Sequence, residues 1–264
     1  IEKLVEKGWD FIGLEDPDIW IDEKTDLAHV YFTIPIKPSE KNLDKSEKIK
    51  IHLGHAIGKD LDSLEMTMPV LMDTVQFSAK EVSIASINKK GFRYNLIESR
   101  DRQADTTYSV IKVAIAKDMG ESWEYGDTVF HPKDRNISWI AGHASPGPFL
   151  PKSFIDLGEG KLLGIINGRE ANEKIIKDNK PEIKYGIFSV GLFIYDYENG
   201  KIDWVSPEPF IRDSEAKTIT FASCFVETGK GEGVLYAHVD DSFVRAYTLK
   251  ADLLKSILPS KFIL

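Results

Sequence analysis

The near absence of long helical periodicity is the feature that most constrains the fold of this chain. The sequence runs instead as short apolar or alternating stretches broken by Gly, Asn, Asp and Lys, such as HVYFTIPI from His29, YSVIKVAIA from Tyr108 and YGIFSVGLFIYD from Tyr185. Stretches of this length and alternation are typical of β-strands joined by tight turns. Only IEKLVEKGW at the start and KADLLKSIL near the end have a helical pattern. The chain is therefore predicted to be all-β, with a single domain over residues 1–264.

The strand stretches recur in cycles. Each cycle has an apolar strand, a turn with Lys or Gly, a second strand that ends in polar residues, a third strand rich in small residues and a weaker fourth. The cycles begin near Gly13, Lys80, Ser145 and Lys217. A period of roughly 65–75 residues is longer than the usual blade repeat but of the same kind. We therefore predict a β-propeller of four-stranded antiparallel blades, with four blades visible in this sequence.

Composition limits the partners that the chain can have. A net charge of −8 argues against a nucleic-acid surface and against an anionic membrane surface. The one cysteine, Cys224, excludes an intrachain disulfide and a multi-cysteine zinc cluster, and its place in ITFASCFV predicts a buried small side chain. Neither a membrane-spanning stretch nor a signal peptide is found, so the cytoplasm is the expected location. The sequence does not indicate an oligomeric state.

The repeat also predicts which residues converge. In an antiparallel blade, the start of the first strand and the end of the second strand lie at the same end of the sheet. All blades present that end to one rim of the central channel. The first strands open on Glu15 and Asp16, Lys80 and Glu81, His143 and Ser145, and Lys217 and Thr218; the second strands close on residues 33–37, 98–100, 167–170, and 240–241. Nearly all are charged or strong hydrogen-bonding residues, which predicts a polar ring at one mouth of the propeller.

Five stretches resemble, in order, the β-mannoside phosphorylase and β-mannosidase family of five-bladed propeller glycosidases. They are GLEDPDIWID, KEVSIASINKKGFRYNL, WIAGHASPGPFLP, KLLGIINGRE and VLYAHVDDSFVRAYTL, and together they span about residues 13–255. A broader relation to the arabinan- and xylan-cleaving propellers is also open, since they too place an acid before a proline on an inner strand. The family's N-terminal blade normally precedes the EDP strand, so that blade is expected to be missing from this chain.

Two departures from the family pattern leave the reaction open. Asp18 stands where the family has Arg, and Asn167 stands where it has a His that helps to hold phosphate in the phosphorylases. Lys80, Arg100 and Arg169, with Arg102, remain as a candidate phosphate clamp, since a guanidinium suits an oxyanion. The resemblance therefore implies either hydrolysis or glycosyl transfer to inorganic phosphate as a co-substrate, with no other cofactor and no metal.

Asp16 is the candidate general acid, by its place in the EDP match. Glu81 and Glu98 are candidates for the base or for a partner that sets the pKa of the acid. The candidate substrate-binding residues are Glu15, Lys80, Arg100, Trp139, His143, Asn167, Arg169, Asp240 and Asp241. Each has a structural alternative: Asp16 and Asp240 as turn residues, the two glutamates as salt-bridge partners, Trp139 as blade packing and His143 as a hydrogen-bonded structural residue.

Together these features predict an enzyme that cleaves a glycosidic bond in a short oligosaccharide, with a β-mannoside as the first substrate to consider. The alternative is a propeller that binds a glycan without cleaving it, and the departures at Asp18 and Asn167 keep that alternative open.

Overall fold

The computed structural model of the chain describes residues 8–39, 49–74, 76–103, 106–177 and 180–263. Within these ranges the chain is built mainly of antiparallel β-strands, with one α-helix, α1 (Ala251–Ile257). The all-β prediction is therefore confirmed, and KADLLKSIL does form a helix. The other predicted helix, IEKLVEKGW, lies almost wholly outside the described residues. No helix in the described ranges is long and apolar enough to cross a membrane.

The first sheet contains the acidic stretch after Gly13. Its strands are β1 (Trp9–Phe11), β2 (Glu15–Asp22), β3 (Leu27–Pro38), β4 (Lys50–Gly58) and β5 (Glu65–Met66). Strands β2 to β5 pair in sequence order, and β1 lies against the far end of the long strand β3. The Asp22 carboxylate accepts hydrogen bonds from the Lys24 backbone N–H and the Thr25 hydroxyl, which closes the turn between β2 and β3.

The second and third sheets each have four antiparallel strands. The second is β6 (Lys80–Ser83), β7 (Arg93–Gln103), β8 (Thr106–Ala116) and β9 (Glu124–Phe130). The third begins with β10 (His143–Phe149) and β11 (Lys161–Arg169), continues after an excursion through the hairpin β12 (Glu173–Lys177) and β13 (Lys180–Lys184), and ends with β14 (Phe188–Asp196) and β15 (Lys201–Val205). A single parallel pairing of His143 with Ser109 joins these two sheets.

The fourth sheet has three strands within the described residues, β16 (Thr220–Gly229), β17 (Glu232–Val239) and β18 (Phe243–Lys250). The first strands of the four sheets thus begin at Glu15, Lys80, His143 and Thr220, close to the four predicted cycle starts. The weak fourth strand predicted for the last cycle is not found in the part of the chain that the structure describes.

Apolar side chains fill the spaces between consecutive sheets. Tyr31, Ile97 and Trp123 belong to the layer between the first and second sheets. Leu96, Phe130, Trp139 and Phe193 belong to the layer between the second and third, and Leu163, Leu192 and Leu235 to the layer between the third and fourth. The four sheets therefore pack in chain order, face against face, and their first strands lie near one another.

Cys224 is exposed, so the prediction that it is buried was wrong. A register shift between Ala222 and Cys224 interrupts the alternation of β16. Beyond it, Cys224 and Val226 lie on the same face of β16, and Val226 is exposed too. An apolar run fixes the strand but not which of its residues a bulge turns outward.

Candidate active site

Strands β2 and β6 both begin with a β-bulge, and each bulge carries a carboxylic acid. The register shifts between Glu15 and Asp18 in β2, and between Lys80 and Val82 in β6. Asp16 and Glu81 are the bulged residues, with φ values of 51° and 50°. Left-handed backbone is uncommon for residues other than glycine, and such strain clusters at functional sites. The bulges aim both carboxyl groups towards the space between the sheets.

A cavity of about 290 Å³ lies at the meeting point of the inner strands. Strands from all four sheets contribute to its wall, which is formed by Asp16, Pro17, Asp18, Glu81, Val82, Pro146, Gly147, Pro148, Phe221, Ala222, Ser223 and His238. The structure thus brings together Asp16 and Glu81, which are far apart in sequence, at one polar opening.

Lys80 is the cation beside this carboxyl pair. Its Nζ lies 3.9 Å from Asp16 Oδ2, 3.8 Å from Glu81 Oε1 and 4.0 Å from Glu98 Oε1. The Glu98 carboxylate above all, with Glu81 and Asp16, raises the pKa of Lys80 above its ordinary value although burial opposes this. The exposed Glu15 adds to the same negative field. One ammonium therefore faces several carboxyl groups, and this cluster of Lys80 and its acidic neighbours has an excess of acidic groups over cations.

Glu81 relieves part of this excess by holding a proton. Burial, and then the neighbouring Asp16 carboxylate, raise the pKa of Glu81 well above its ordinary value. A hydrogen bond with the Asp16 side chain acts in the same direction. The Glu81 side chain is 16% exposed and that of Asp16 35%. Asp16 is thus the more accessible member of the pair.

Glu98 is a permanently charged residue behind this pair. It is buried, and its Oε2 lies 3.0 Å from His143 Nε2. Burial alone would raise the pKa of Glu98, but the His143 imidazole and the Lys80 ammonium outweigh it and lower this pKa to about 2. Glu98 therefore acts as a counter-ion for Lys80 and a hydrogen-bond partner of His143, in line with the salt-bridge alternative considered for it.

Arg169 lies next to His143 as its cross-strand neighbour. Its guanidinium stands over the Phe188 ring at 5.5 Å, and its buried Nε has no hydrogen-bond partner among the described residues. His143 packs edge-on against the same ring, at 4.9 Å between ring centroids. Arg169 is thus a cation near the acidic cluster, and its guanidinium forms no ion pair with a carboxylate in the described part of the chain.

Two titratable residues of the cavity wall, Asp18 and His238, were not among the predicted site residues. Asp18 is partly buried, and burial raises its pKa to about 7 against the opposing effect of its one backbone hydrogen bond. His238 contacts Asp241 through Nδ1, 3.1 Å from Oδ1, and packs against Phe221. Asp18 follows Asp16 by two residues on an inner strand, and that spacing was the sequence signal for it. His238 has no comparable signal.

Trp139 and Asn167 have structural roles rather than the predicted contact with substrate. Trp139 is 2% exposed and donates a hydrogen bond from Nε1 to the Ser206 carbonyl at 3.1 Å. Asn167 is fully buried; its Nδ2 donates to the Ala222 carbonyl at 2.9 Å, and its Oδ1 accepts from the Ala222 N–H at 2.8 Å. The tryptophan is blade packing, and the asparagine joins the third sheet to the fourth.

Arg100 and Asp240 bond within the chain, whereas Asp241 contacts a residue of the cavity wall. Arg100 Nη2 donates to Asp73 Oδ1 at 2.6 Å, which commits this guanidinium to a loop of its own chain. The Asp240 carboxylate accepts from the backbone N–H groups that precede β16, and these hydrogen bonds lower its pKa. It is therefore the turn residue considered as its alternative. Asp241 is exposed and contacts the cavity only through His238. No group of His, Cys, Asp and Glu in the described ranges is arranged to hold a metal ion.

No sequence-family model matches the chain, and no curated protein matches it by sequence. Solved structures do match it. Fructan 1-exohydrolase IIa from Cichorium intybus superposes with a TM-score of 0.55 at 14% identity, over 100% of this chain and 48% of the exohydrolase. A family 117 glycoside hydrolase from Zobellia galactanivorans has a TM-score of 0.50 at 10% identity, over 92% and 75% of the two chains. The β-1,2-mannobiose phosphorylase from Listeria innocua has a TM-score of 0.44 at 12% identity, over 96% and 94%.

The family 117 glycoside hydrolase and the fructan exohydrolase share this fold, so the resemblance seen in the sequence is confirmed at the level of the fold.

Proposed function

We propose that this protein cleaves a glycosidic bond in a short oligosaccharide, by hydrolysis or by phosphorolysis, with Asp16 as the proton donor and a β-mannoside as the first substrate to test. The observation that carries the proposal is the pair of carboxyl groups, Asp16 and Glu81, that lies beside Lys80 at the wall of a cavity where all four sheets meet, with the pKa of Glu81 raised so that it holds a proton. Glycosidic cleavage needs such a proton, because the leaving oxygen must be protonated as its bond to the anomeric carbon breaks.

The geometry assigns different tasks to the two carboxyl groups. Both lie within 4 Å of Lys80 Nζ, and Asp16 is one of the causes that raise the pKa of Glu81. They therefore act as one donor and not as an acid and a base. Asp16, the more exposed of the two, protonates the substrate oxygen, and Glu81 supplies the proton. Lys80 stabilises the negative charge that this transfer leaves behind.

The attacking group is water or phosphate, and the cations near the site bear on that choice. Arg100 is neutralised by Asp73, so the predicted phosphate clamp loses one member. Arg169 has a buried Nε without a partner in the described chain and lies beside His143. It is the cation best suited to an oxyanion, whether that is phosphate or an acidic sugar.

We also propose that a further four-stranded sheet completes the ring, as in five-bladed relatives. Ile19 and Ile21 on the first sheet and Val226 and Val244 on the fourth are exposed large apolar side chains on faces against which no described residue packs closely. Exposed apolar side chains grouped on sheet faces are typical of packing surfaces. Completion of the ring would enclose the cavity, because both terminal sheets contribute to its wall.

The test is incubation of the purified chain with 4-nitrophenyl β-mannoside and with β-linked manno-oligosaccharides, with and without inorganic phosphate. Release of a sugar 1-phosphate that requires phosphate would identify a phosphorylase, and release of free sugar without phosphate would identify a hydrolase. Binding of these sugars without turnover would favour the non-catalytic alternative. If a panel of other aryl glycosides also gave neither turnover nor binding, the proposal would be wrong.

A further inference from the structure

Asp18 is the residue of the cavity wall that the proton-donor scheme does not use. It lies on β2, two residues beyond Asp16, and its cross-strand partner is the fully buried Tyr31. Asp18 is also close enough to the fourth sheet to act on Cys224, because burial and, after it, the Asp18 charge raise the pKa of the Cys224 thiol. Asp18 therefore faces the cavity where the inner strands of the four sheets meet.

Asp18 lacks the partners that such a carboxylate usually has. Its one hydrogen bond in the described chain is local, from the Ile19 N–H to Oδ1 at 3.0 Å, and it forms no ion pair there. Asp22, on the same face of the same strand, accepts from the Thr25 hydroxyl and the Lys24 N–H, and these bonds lower its pKa. Burial of a carboxylate without compensation is costly. A strand that only had to pack would place an apolar residue at position 18.

We propose that Asp18 is the general base of the cleavage reaction and that the reaction is a hydrolysis. This inference rests on the proposed function and deepens it. Asp18 accepts a proton from a water molecule in the cavity while the water oxygen forms its bond to the anomeric carbon. The bond from that carbon to the leaving oxygen breaks, and this oxygen takes the proton delivered by Asp16. Asp18 then returns its proton to solvent, and water reloads the Asp16–Glu81 pair.

The placement of Asp18 suits this step. Asp16 and Asp18 both line the cavity, as separate carboxyl groups on one strand. Enzymes that invert configuration keep their acid and base about 6.5–9.5 Å apart, so that a water fits between them. The pKa of about 7 is also close to the best value for a base that works at neutral pH.

The charges around Asp18 favour water over phosphate. The titratable groups that surround it in the cavity are Asp16, Glu81 and His238, with Tyr31 and Cys224 close by. Lys80, the nearest cation to the carboxyl pair, is already shared among Asp16, Glu81 and Glu98. A phosphate dianion that entered beside Asp18 would meet carboxylate charge, whereas a neutral water would not.

The experiment compares Asp18→Asn and Asp18→Ala with the wild type on β-linked manno-oligosaccharides, and uses Asp22→Asn as the matched control. Asparagine keeps the size of the side chain, so Asp18→Asn is expected to fold and to lose about 10²–10⁴-fold in kcat. Asp22→Asn is expected to keep wild-type kcat. In Asp18→Ala, added sodium azide should restore turnover and yield a glycosyl azide of α configuration from a β-mannoside, because azide attacks without a base.

The outcomes separate this inference from the proposed function. If the wild type releases sugar without phosphate and Asp18→Asn keeps full activity, the inference is wrong and the proposed function stands. The inference is also wrong, and the proposed function stands, if turnover requires phosphate or if the first product retains the β configuration. If the wild type turns over no glycoside, both are wrong. Loss in Asp18→Asn, azide rescue of Asp18→Ala and an inverted product together would establish Asp18 as the base.

Discussion

Asp16 of the first sheet and Glu81 of the second contact the same Lys80 ammonium, at 3.9 and 3.8 Å, and both residues have left-handed backbone at the bulge that opens an inner strand. Two equivalent distortions at the start of two consecutive sheets place two carboxyl groups against each other. The arrangement raises the pKa of Glu81 and stores a proton beside a cavity. Local strain and like-charge repulsion are both unfavourable for folding, and both serve proton donation.

The first prediction concerns this pair as a unit. Asp16→Asn and Glu81→Gln should each lower kcat/KM on unactivated oligosaccharides by about 10²–10⁴-fold. The double variant should lose little more than either single one, because each substitution already disrupts the proton-donating pair. Aryl glycosides with good leaving groups should be affected less, since they need less protonation. Steady-state kinetics of the four proteins checks this, and losses that multiply in the double variant would contradict it.

The second prediction concerns the alkaline side of the pH–activity profile. The Glu98 carboxylate helps to raise the pKa of Glu81. Glu98→Gln should therefore lower the pKa of Glu81, so that the donor loses its proton, and activity falls, at a lower pH than in the wild type. Lys80→Gln should move the same limb to higher pH, because the ammonium lowers the pKa of Glu81. Profiles of kcat against pH measure both shifts. If the alkaline limbs of Glu98→Gln and Lys80→Gln moved in the same direction, the electrostatic explanation would be wrong.

Strand polarity explains how much of this site could be predicted from sequence. The ends of antiparallel strands are fixed by their order, so Asp16, Glu81 and Glu98 could be assigned to one rim without coordinates. The direction of each side chain could not be assigned, because a bulge shifts the alternation by one residue. Sequence position therefore did not reveal that Asn167 points into a sheet contact. Ion pairs between residues far apart in sequence, such as Arg100 and Asp73, could not be predicted from the sequence either.

The third prediction separates a structural Asn167 from a substrate-binding one. Asn167→Ala should leave the buried N–H and C=O of Ala222 without partners and lower the free energy of unfolding by about 2–4 kcal/mol. Among molecules that remain folded, KM should be unchanged, because the side chain is fully buried and bonds only to backbone. Urea unfolding and steady-state kinetics provide the two readouts. A raised KM with unchanged stability would restore the predicted contact with substrate.

The fourth prediction concerns stability in mild acid. His29 Nδ1 and His55 Nε2 lie 3.0 Å apart in the buried layer next to Tyr31. Burial, and then the neighbouring His29, lower the pKa of His55 from 6.5 to about 4. Above pH 6.5 His55 is neutral in both the folded and the unfolded chain, so its titration does not change the free energy of unfolding. As the pH falls below 6.5, His55 takes up a proton in the unfolded chain but stays neutral in the folded chain. The free energy of unfolding therefore decreases until the pH reaches about 4, where His55 is protonated in the folded chain too.

The expected loss from His55 over this range is about 3 kcal/mol, from a pKa difference of roughly 2.5 units. His55→Gln keeps a hydrogen-bonding side chain that does not titrate, and its free energy of unfolding should fall less between pH 6.5 and 4.5 than that of the wild type. This window lies above the range in which Glu98 takes up its proton, since the pKa of Glu98 is about 2 in the fold. Urea unfolding at several pH values measures the slope. Equal slopes in the two proteins would mean that the buried histidine pair does not control acid stability.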